Sequence, residues 1–288
     1  MKTPQAIFAV AAIMVALTFT PLVSSAEYTI ENLIEDTGVH EGPTVMREKE
    51  MWDTSRSIVI RDAGLDMPDF GDLNVVVVSS LDEAMANAGS AGAIIGYCDA
   101  ELLAAAPHVS WVQILSAGAE RCFPSEKLSS GAVTLTNMQK MSSPVIAEHA
   151  IAMLLALTRN LPEFIDGKAQ GDWKRGAPFT DGMTSVSGKT MLVLGLGGIG
   201  TEVARLGAAL GMRVVATRNS SRKGPEFVDY VGLSDEMLKL SKDAHVIVNT
   251  LPLTPATQGL LDEGFFAAAG ESGAPYFINV GRGATVDT

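Results

Sequence analysis

"LVLGLGGIGTEVARLGAALGMRVVATR", Leu192 to Arg218, decides the fold. A short apolar run enters a turn in which Gly195, Gly197 and Gly200 keep the spacing G-x-G-x-x-G. The turn opens a helix-forming stretch, and a second apolar run, "RVVAT", follows it. The glycine spacing alone says little; between a strand and a helix it marks a dinucleotide-binding unit. Gly195 permits the tight turn, Gly197 lets the backbone approach a diphosphate, and Gly200 lets the helix pack closely on the strand. The diphosphate then rests on free amide N–H groups at the helix start.

The second strand of such a unit ordinarily ends on an acidic residue that accepts the adenosine ribose hydroxyls. Here it ends on Arg218, followed by Asn219, Ser220, Ser221 and Arg222. A guanidinium pairs with a 2′-phosphate, which a carboxylate would repel. The expected cofactor is therefore NADP(H), with NAD(H) as the alternative.

The same strand–helix rhythm extends both ways. Downstream, "HVIVNT" and "PYFINV" read as strands, with "SDEMLKLSKD" and "DEGFFAAAG" as helices. Upstream, "SIVI", "LNVVVV", "GAIIG", "SWVQIL" and "AVTLT" read as strands separated by helix-like stretches. Continuous apolar strands alternating with helices indicate parallel sheets covered on both faces. Between the two series, "SSPVIAEHAIAMLLALTRNLPEFIDG" (142–167) reads as one long, largely buried hinge helix, with Pro144 in its first turn and Gly167 at its end. The expected fold is α/β, two doubly wound parallel-sheet domains: a flavodoxin-like substrate domain and a Rossmann cofactor domain, the latter incomplete. The expected boundaries are a signal peptide over 1–26, a substrate domain over 27–141, the hinge helix and connection over 142–187, and a cofactor domain over 188–288.

The signal peptide rests on Lys2, the uncharged run "AIFAVAAIMVALTF", and small Ser24 and Ala26 before Glu27. It implies export, or a cytoplasmic protein if the start codon is misassigned. The net charge of −12 argues against nucleic acid or an anionic membrane surface as partner. Hydrophobic residues at 47% and charged residues at 19% suit well-filled cores. Cys98 and Cys122 read as two small buried thiols, although an exported chain could pair them. No Cys/His cluster has metal-ligand spacing, and no metal is expected.

The sequence resembles the D-isomer-specific 2-hydroxyacid dehydrogenases. The likeness is carried, in order, by "VQILSAGAE" (112–120), "IAEHAIAMLLALTR" (146–159), "GKTMLVLGLGGIG" (188–200), "NTLPLTPATQGLLDEGFF" (249–266) and "FINVGRGATVD" (277–287). The resemblance implies hydride transfer between a nicotinamide cofactor and a 2-keto or D-2-hydroxy acid, such as glyoxylate or hydroxypyruvate. A formate- or phosphite-type dehydrogenase is the runner-up within the enzyme class. Arg282 matches the arginine that holds the substrate carboxylate and carbonyl, a task suited to a planar guanidinium. Ala117 and Gly118 match the loop whose N–H groups bind the same carboxylate. Gly198 and Ile199 match diphosphate contacts; Leu251, Pro252 and Thr257 match the segment lining the nicotinamide; Val280 and Gly281 match the backbone near its ribose. Glu148 and His149 read as structural residues of the hinge helix, His149 packed or hydrogen-bonded, and Trp173 reads as a cover over the hinge.

The family also implies a homodimer through the cofactor domain, and a histidine acid/base oriented by a glutamate, both beyond the arginine. None of His40, His108, His149 and His245 matches that position, and no residue follows Thr288. The expectation is a C-terminally truncated, inactive dehydrogenase. The alternative is an exported, non-catalytic nucleotide-binding module.

Overall fold

The computed structural model describes residues 55–64, 70–172, 182–271 and 273–288. The stretch expected to be a signal peptide (1–26) and Trp173 lie outside them. Both sheets belong to one compact unit, Glu41–Thr288.

The first sheet contains β1 (Ser57–Arg61), β2 (Val75–Val78), β3 (Ala91–Ile95), β4 (Trp111–Gln113) and β5 (Thr134–Thr136), all parallel, in the order β2-β1-β3-β4-β5. Among its connections are the helices α1 (Leu81–Asn87), α2 (Ala100–Ala105) and α3 (Glu126–Ser129). α1 starts where Ser80 accepts a hydrogen bond from the Glu83 N–H, a side-chain cap. One face of this sheet buries Val59, Ile94 and Val112 with Leu102 and Leu103 of α2. The strand order is the flavodoxin-like one.

Two helices follow, α4 (Ser143–Thr158) and α5 (Leu161–Ala169). The single helix expected over 142–167 is thus broken. Asn160 turns into the left-handed region at φ 53°, and Pro162, with no N–H to donate, sits in the first turn of α5. Gly167 is buried inside α5 rather than ending it. Nor is α4 largely buried. Ser143, Ala147, Ala150, Leu154 and Thr158 form one buried stripe at helical spacing, while Val145 and Leu157 are exposed.

The second sheet contains β6 (Thr190–Leu194), β7 (Arg213–Thr217), β8 (Tyr230–Gly232), β9 (Val246–Asn249) and β10 (Tyr276–Asn279), again all parallel, in the order β10-β9-β6-β7-β8. Read from β8 this is 3-2-1-4-5, the Rossmann order. The helices are α6 (Gly198–Ala209), α7 (Met237–Ser241) and α8 (Glu263–Ala269). β6 is buried along its whole length, and its residues alternate between two cores. Met191 and Val193 pack with Val203 and Ala204 of α6 and with Ala147, Ala150 and Leu154 of α4. Leu192 and Leu194 pack with Met237 of α7 and Phe265 of α8. The small residues on α4 let it close onto α6, so the hinge helix is part of the second core.

Cys98 and Cys122 are not free thiols: they form a disulfide, with Cα atoms 5.1 Å apart. Both are buried, as expected of the thiols, at 3% and 0% exposure. The pairing, left open in the sequence, joins residues 24 positions apart. It arises because β3 and β4 are parallel neighbours, which brings the loops that leave them together.

Candidate active site

β6 and β9 lie side by side where the strand order of the second sheet reverses. Loops diverge from such a point, and ligands of open α/β sheets bind there. A cavity of about 310 Å³ occupies it. The second sheet contributes Gly195, Gly197, Gly198, Ile199, Gly200, Thr250, Leu251, Pro252, Val280, Gly281 and Arg282 to its wall. The first sheet contributes Ala117, Gly118 and Glu120 after β4, and Asn137, Gln139 and Lys140 after β5. Ser142 and Ser143, at the start of α4, complete it.

The glycine turn is sterically specified. Gly195 adopts φ +92°, and a Cβ on Gly200 would collide with the Gly195 carbonyl oxygen. Thr250 Oγ1 donates to that oxygen at 2.6 Å, fixing the turn against the end of β9. Thr201 N–H donates to the Gly197 carbonyl at 2.9 Å, so the N–H groups of Gly198, Ile199 and Gly200 precede the helical ladder. With the positive end of a helix of twelve residues behind them, these donors fit a diphosphate.

Arg282 is placed by a network that sequence reading missed. Asn249 is fully buried at the end of β9, and its Nδ2 donates to Asn279 Oδ1 at 3.1 Å and to Thr285 Oγ1 at 2.8 Å. Asn249 Oδ1 accepts from Leu251 N–H at 3.1 Å, and Thr285 Oγ1 donates to the Arg282 carbonyl at 2.6 Å. One asparagine thus ties the Leu251 segment to the arginine turn. The available sign was a polar residue closing the apolar run "HVIVN".

The Arg282 side chain crosses to the first-sheet loop. Its Nε lies 3.2 Å from Glu120 Oε1, and the two side chains are 43% and 38% exposed. The guanidinium lies against Gly118, where any Cβ would strike it. The structure therefore brings Arg282, Ala117 and Gly118 together, with a carboxylate already on the guanidinium.

Two of the singled-out residues stand outside the cavity wall. Thr257 Oγ1 donates to the Pro252 carbonyl at 2.6 Å and accepts from Thr254 N–H at 2.8 Å, so it buckles the loop that presents Leu251 and Pro252. Arg218 stands at the tip of β7, where its Nη1 donates to the Lys223 carbonyl at 3.1 Å. Arg222, beside it in sequence, is engaged elsewhere, donating to Glu236 and to Tyr230 Oη. The Glu236 carboxyl is pushed down to about 2, first by the Tyr230 hydroxyl, then by Leu233 N–H, then by Arg222. This cluster braces the corner between β8 and α7.

None of the described histidines, His108, His149 and His245, lines the cavity. His149 is exposed on α4, with Glu148 beside it, where a packed or hydrogen-bonded side chain was expected. His245 accepts from Thr190 N–H at 3.2 Å through Nδ1, at the opposite end of β6.

Comparison with known proteins gives a consistent picture. Residues 151–288 match the NAD binding domain of the D-isomer specific 2-hydroxyacid dehydrogenases. D-3-phosphoglycerate dehydrogenase of Mycobacterium bovis is 34% identical over 192 residues, covering 66% of this chain and 34% of that protein. Glyoxylate/hydroxypyruvate reductase A of Arabidopsis thaliana is 29% identical over 209 residues, covering 73% of this chain and 62% of that one. This chain thus spans between a third and two thirds of the length of these relatives. Among solved structures, a D-isomer specific 2-hydroxyacid dehydrogenase family protein from Aeromonas salmonicida superposes with a TM-score of 0.63 at 25% identity, covering 81% of this chain and 75% of that one.

Proposed function

The chain belongs to the D-isomer specific 2-hydroxyacid dehydrogenase family, and on that premise we propose that it binds NADP(H) in preference to NAD(H) and acts on a small 2-keto or D-2-hydroxy acid of the glyoxylate or hydroxypyruvate kind. One observation carries the proposal: the glycine turn, the Ala117–Gly118 loop and Arg282 share one cavity. The nicotinamide, when bound, supplies or accepts the hydride. The chain's own residues do the rest. The N–H groups at the start of α6 hold the diphosphate, and Leu251 and Pro252 wall the nicotinamide side. The Ala117–Gly118 loop and Arg282 grip the substrate carboxylate, and the guanidinium stabilises charge that develops on the carbonyl oxygen. Arg218 sets the cofactor preference by pairing with the 2′-phosphate.

Reduction of a keto acid also needs a proton at that oxygen. No histidine among the described residues lines the cavity, and a positioned general acid contributes about 10²–10⁴ in rate. Binding is therefore the informative readout for these 288 residues. Oxamate, a carboxylate analogue of the keto acids, titrated into the chain with NADPH present, should bind saturably. Arg282→Gln should weaken it about ten-fold or more, the cost of a charge-assisted contact. Oxamate binding that ignores this substitution, or no binding by the wild-type chain, contradicts the proposal.

The Cys98–Cys122 bridge favours a second reading. Disulfides persist in oxidising compartments, so the bridge supports export, and an exported chain fits a non-catalytic nucleotide-binding module. The homodimer finds support in Val145 and Leu157 on α4 and Leu161, Phe164 and Ile165 on α5, all large, apolar and exposed.

A further inference from the structure

The loop that carries Ala117 and Gly118 to the cavity is held unevenly. On its near side it is tied down: Asn137 Nδ2 donates to the Ala117 carbonyl at 2.7 Å, and Ser116 Oγ donates to the Gly118 carbonyl at 2.9 Å. On its far side it runs straight into a single helical turn, Glu120–Cys122. A lone turn of this kind has little stability of its own, and here no side chain caps it. Glu120 and Arg121 are exposed, and Cys122 is the one residue of the turn that is buried.

The other end of the Cys98–Cys122 bridge is rigid. Gly96 N–H donates to the Gln113 carbonyl at 2.7 Å, which ties the loop after β3 to the end of β4. α2 starts two residues after Cys98, with Leu103 N–H donating to the Asp99 carbonyl at 3.0 Å. Cys98 and Cys122 share one core with Leu102 and Leu103 of α2. The bridge thus fastens a weak turn to a firm element. Gly118 lies against the Arg282 guanidinium only four residues before the fastened sulfur.

We infer that the Cys98–Cys122 bridge is a positioning element for the proposed substrate site: by seating the Glu120–Cys122 turn on the start of α2, it holds the Ala117–Gly118 loop against Arg282. The inference rests on the reading of that loop and Arg282 as the grip on a substrate carboxylate. It makes the grip depend on the oxidation state of two sulfurs that touch no substrate. Opening the bridge with a dithiol moves two electrons and two protons to the cysteine sulfurs, and the dithiol closes into its own cyclic disulfide. Oxidised glutathione runs the change backwards, closing the bridge and leaving two molecules of the reduced tripeptide. In the opened chain the loop must be ordered by the ligand itself, and that cost falls on affinity.

The full chain is compared with the bridge closed, with the bridge opened by dithiothreitol until both thiols titrate, and as Cys98→Ala/Cys122→Ala. Hydrogen exchange followed by mass spectrometry reads the loop directly. Residues 116–122 should exchange faster in both opened forms while β3 and β4 keep their protection. Calorimetry with oxamate, NADPH being present, reads the grip, and ADP-ribose serves as the control for the second sheet. For calorimetry every form also carries Glu120→Gln, so that release of the competing carboxylate does not offset loss of the loop. Oxamate should weaken roughly three- to ten-fold on opening, with ADP-ribose within about two-fold. Reclosing the bridge with oxidised glutathione should restore both readings. Unchanged exchange at 116–122, or unchanged oxamate affinity, in both opened forms would overturn the inference. So would exchange that quickens equally through β3 and β4, the mark of a bridge that serves the whole sheet. A closed chain that takes ADP-ribose but not oxamate would overturn the substrate reading, and the positioning role with it.

Discussion

At the scale of single residues, the contact between Glu120 and Arg282 is the one that bears most directly on the proposed substrate site. The Arg282 guanidinium is held by an internal carboxylate, so on the proposed reading an incoming substrate carboxylate must displace Glu120. Both side chains are more than a third exposed, and such pairs are worth only about 0.2–1 kcal/mol. Glu120→Gln should therefore tighten oxamate binding roughly two- to five-fold, with cofactor affinity unchanged. Weaker oxamate binding in this variant would show instead that Glu120 helps to hold the arginine in place. Arg282 and the three glycines were legible in sequence because their surroundings are local: a strand, a turn and a helix start within a few residues. Glu120, Ser143, Asn249 and the cysteine pair were not, because each depends on a partner far along the chain. Ser143 and Gly198 are separated by fifty-five positions and meet only because α4 packs on α6.

At the scale of elements, the corner between β8 and α7 carries a pH-dependent brace. The Glu236 carboxyl sits at about 2, below its ordinary 4.5. A depressed carboxyl stabilises the fold above its unfolded value, and that stabilisation fades as pH falls toward the folded value. Wild type should therefore resist denaturant better than Glu236→Gln at neutral pH. The difference should shrink from 4.5 downward and be nearly gone at about 2. A difference that stays constant across that window would rule out the brace. The strand β8 that this corner follows was missed in sequence. It has three residues at the sheet edge, with Tyr230 exposed, too few to show a pattern. The break between α4 and α5 was missed for a different reason: apolar residues continue through "LTRNLPEF", and only Arg159 and the left-handed Asn160 separate the helices. The other strands were legible because parallel strands covered on both faces are nearly continuous apolar runs, as β6 is from Met191 to Leu194.

At the scale of the whole molecule, two parallel sheets bring their C-terminal loops to one cavity, and the proposed function rests on that juxtaposition. The Rossmann order puts the glycine turn beside the end of β9 at the switch point. The first sheet brings the Ala117–Gly118 loop and Lys140 to the same wall. Sequence alone showed two α/β series and their motifs; that they face each other across one site follows from packing of α4 against the second core. The central claim is that the helix start at Gly198 holds a pyridine dinucleotide whose ribose is read by Arg218. Its most direct test is fluorescence titration of the purified chain with NADPH and, separately, with NADH. Saturable binding of both, with NADPH several-fold tighter, is the predicted result; no binding of either nucleotide would contradict the account.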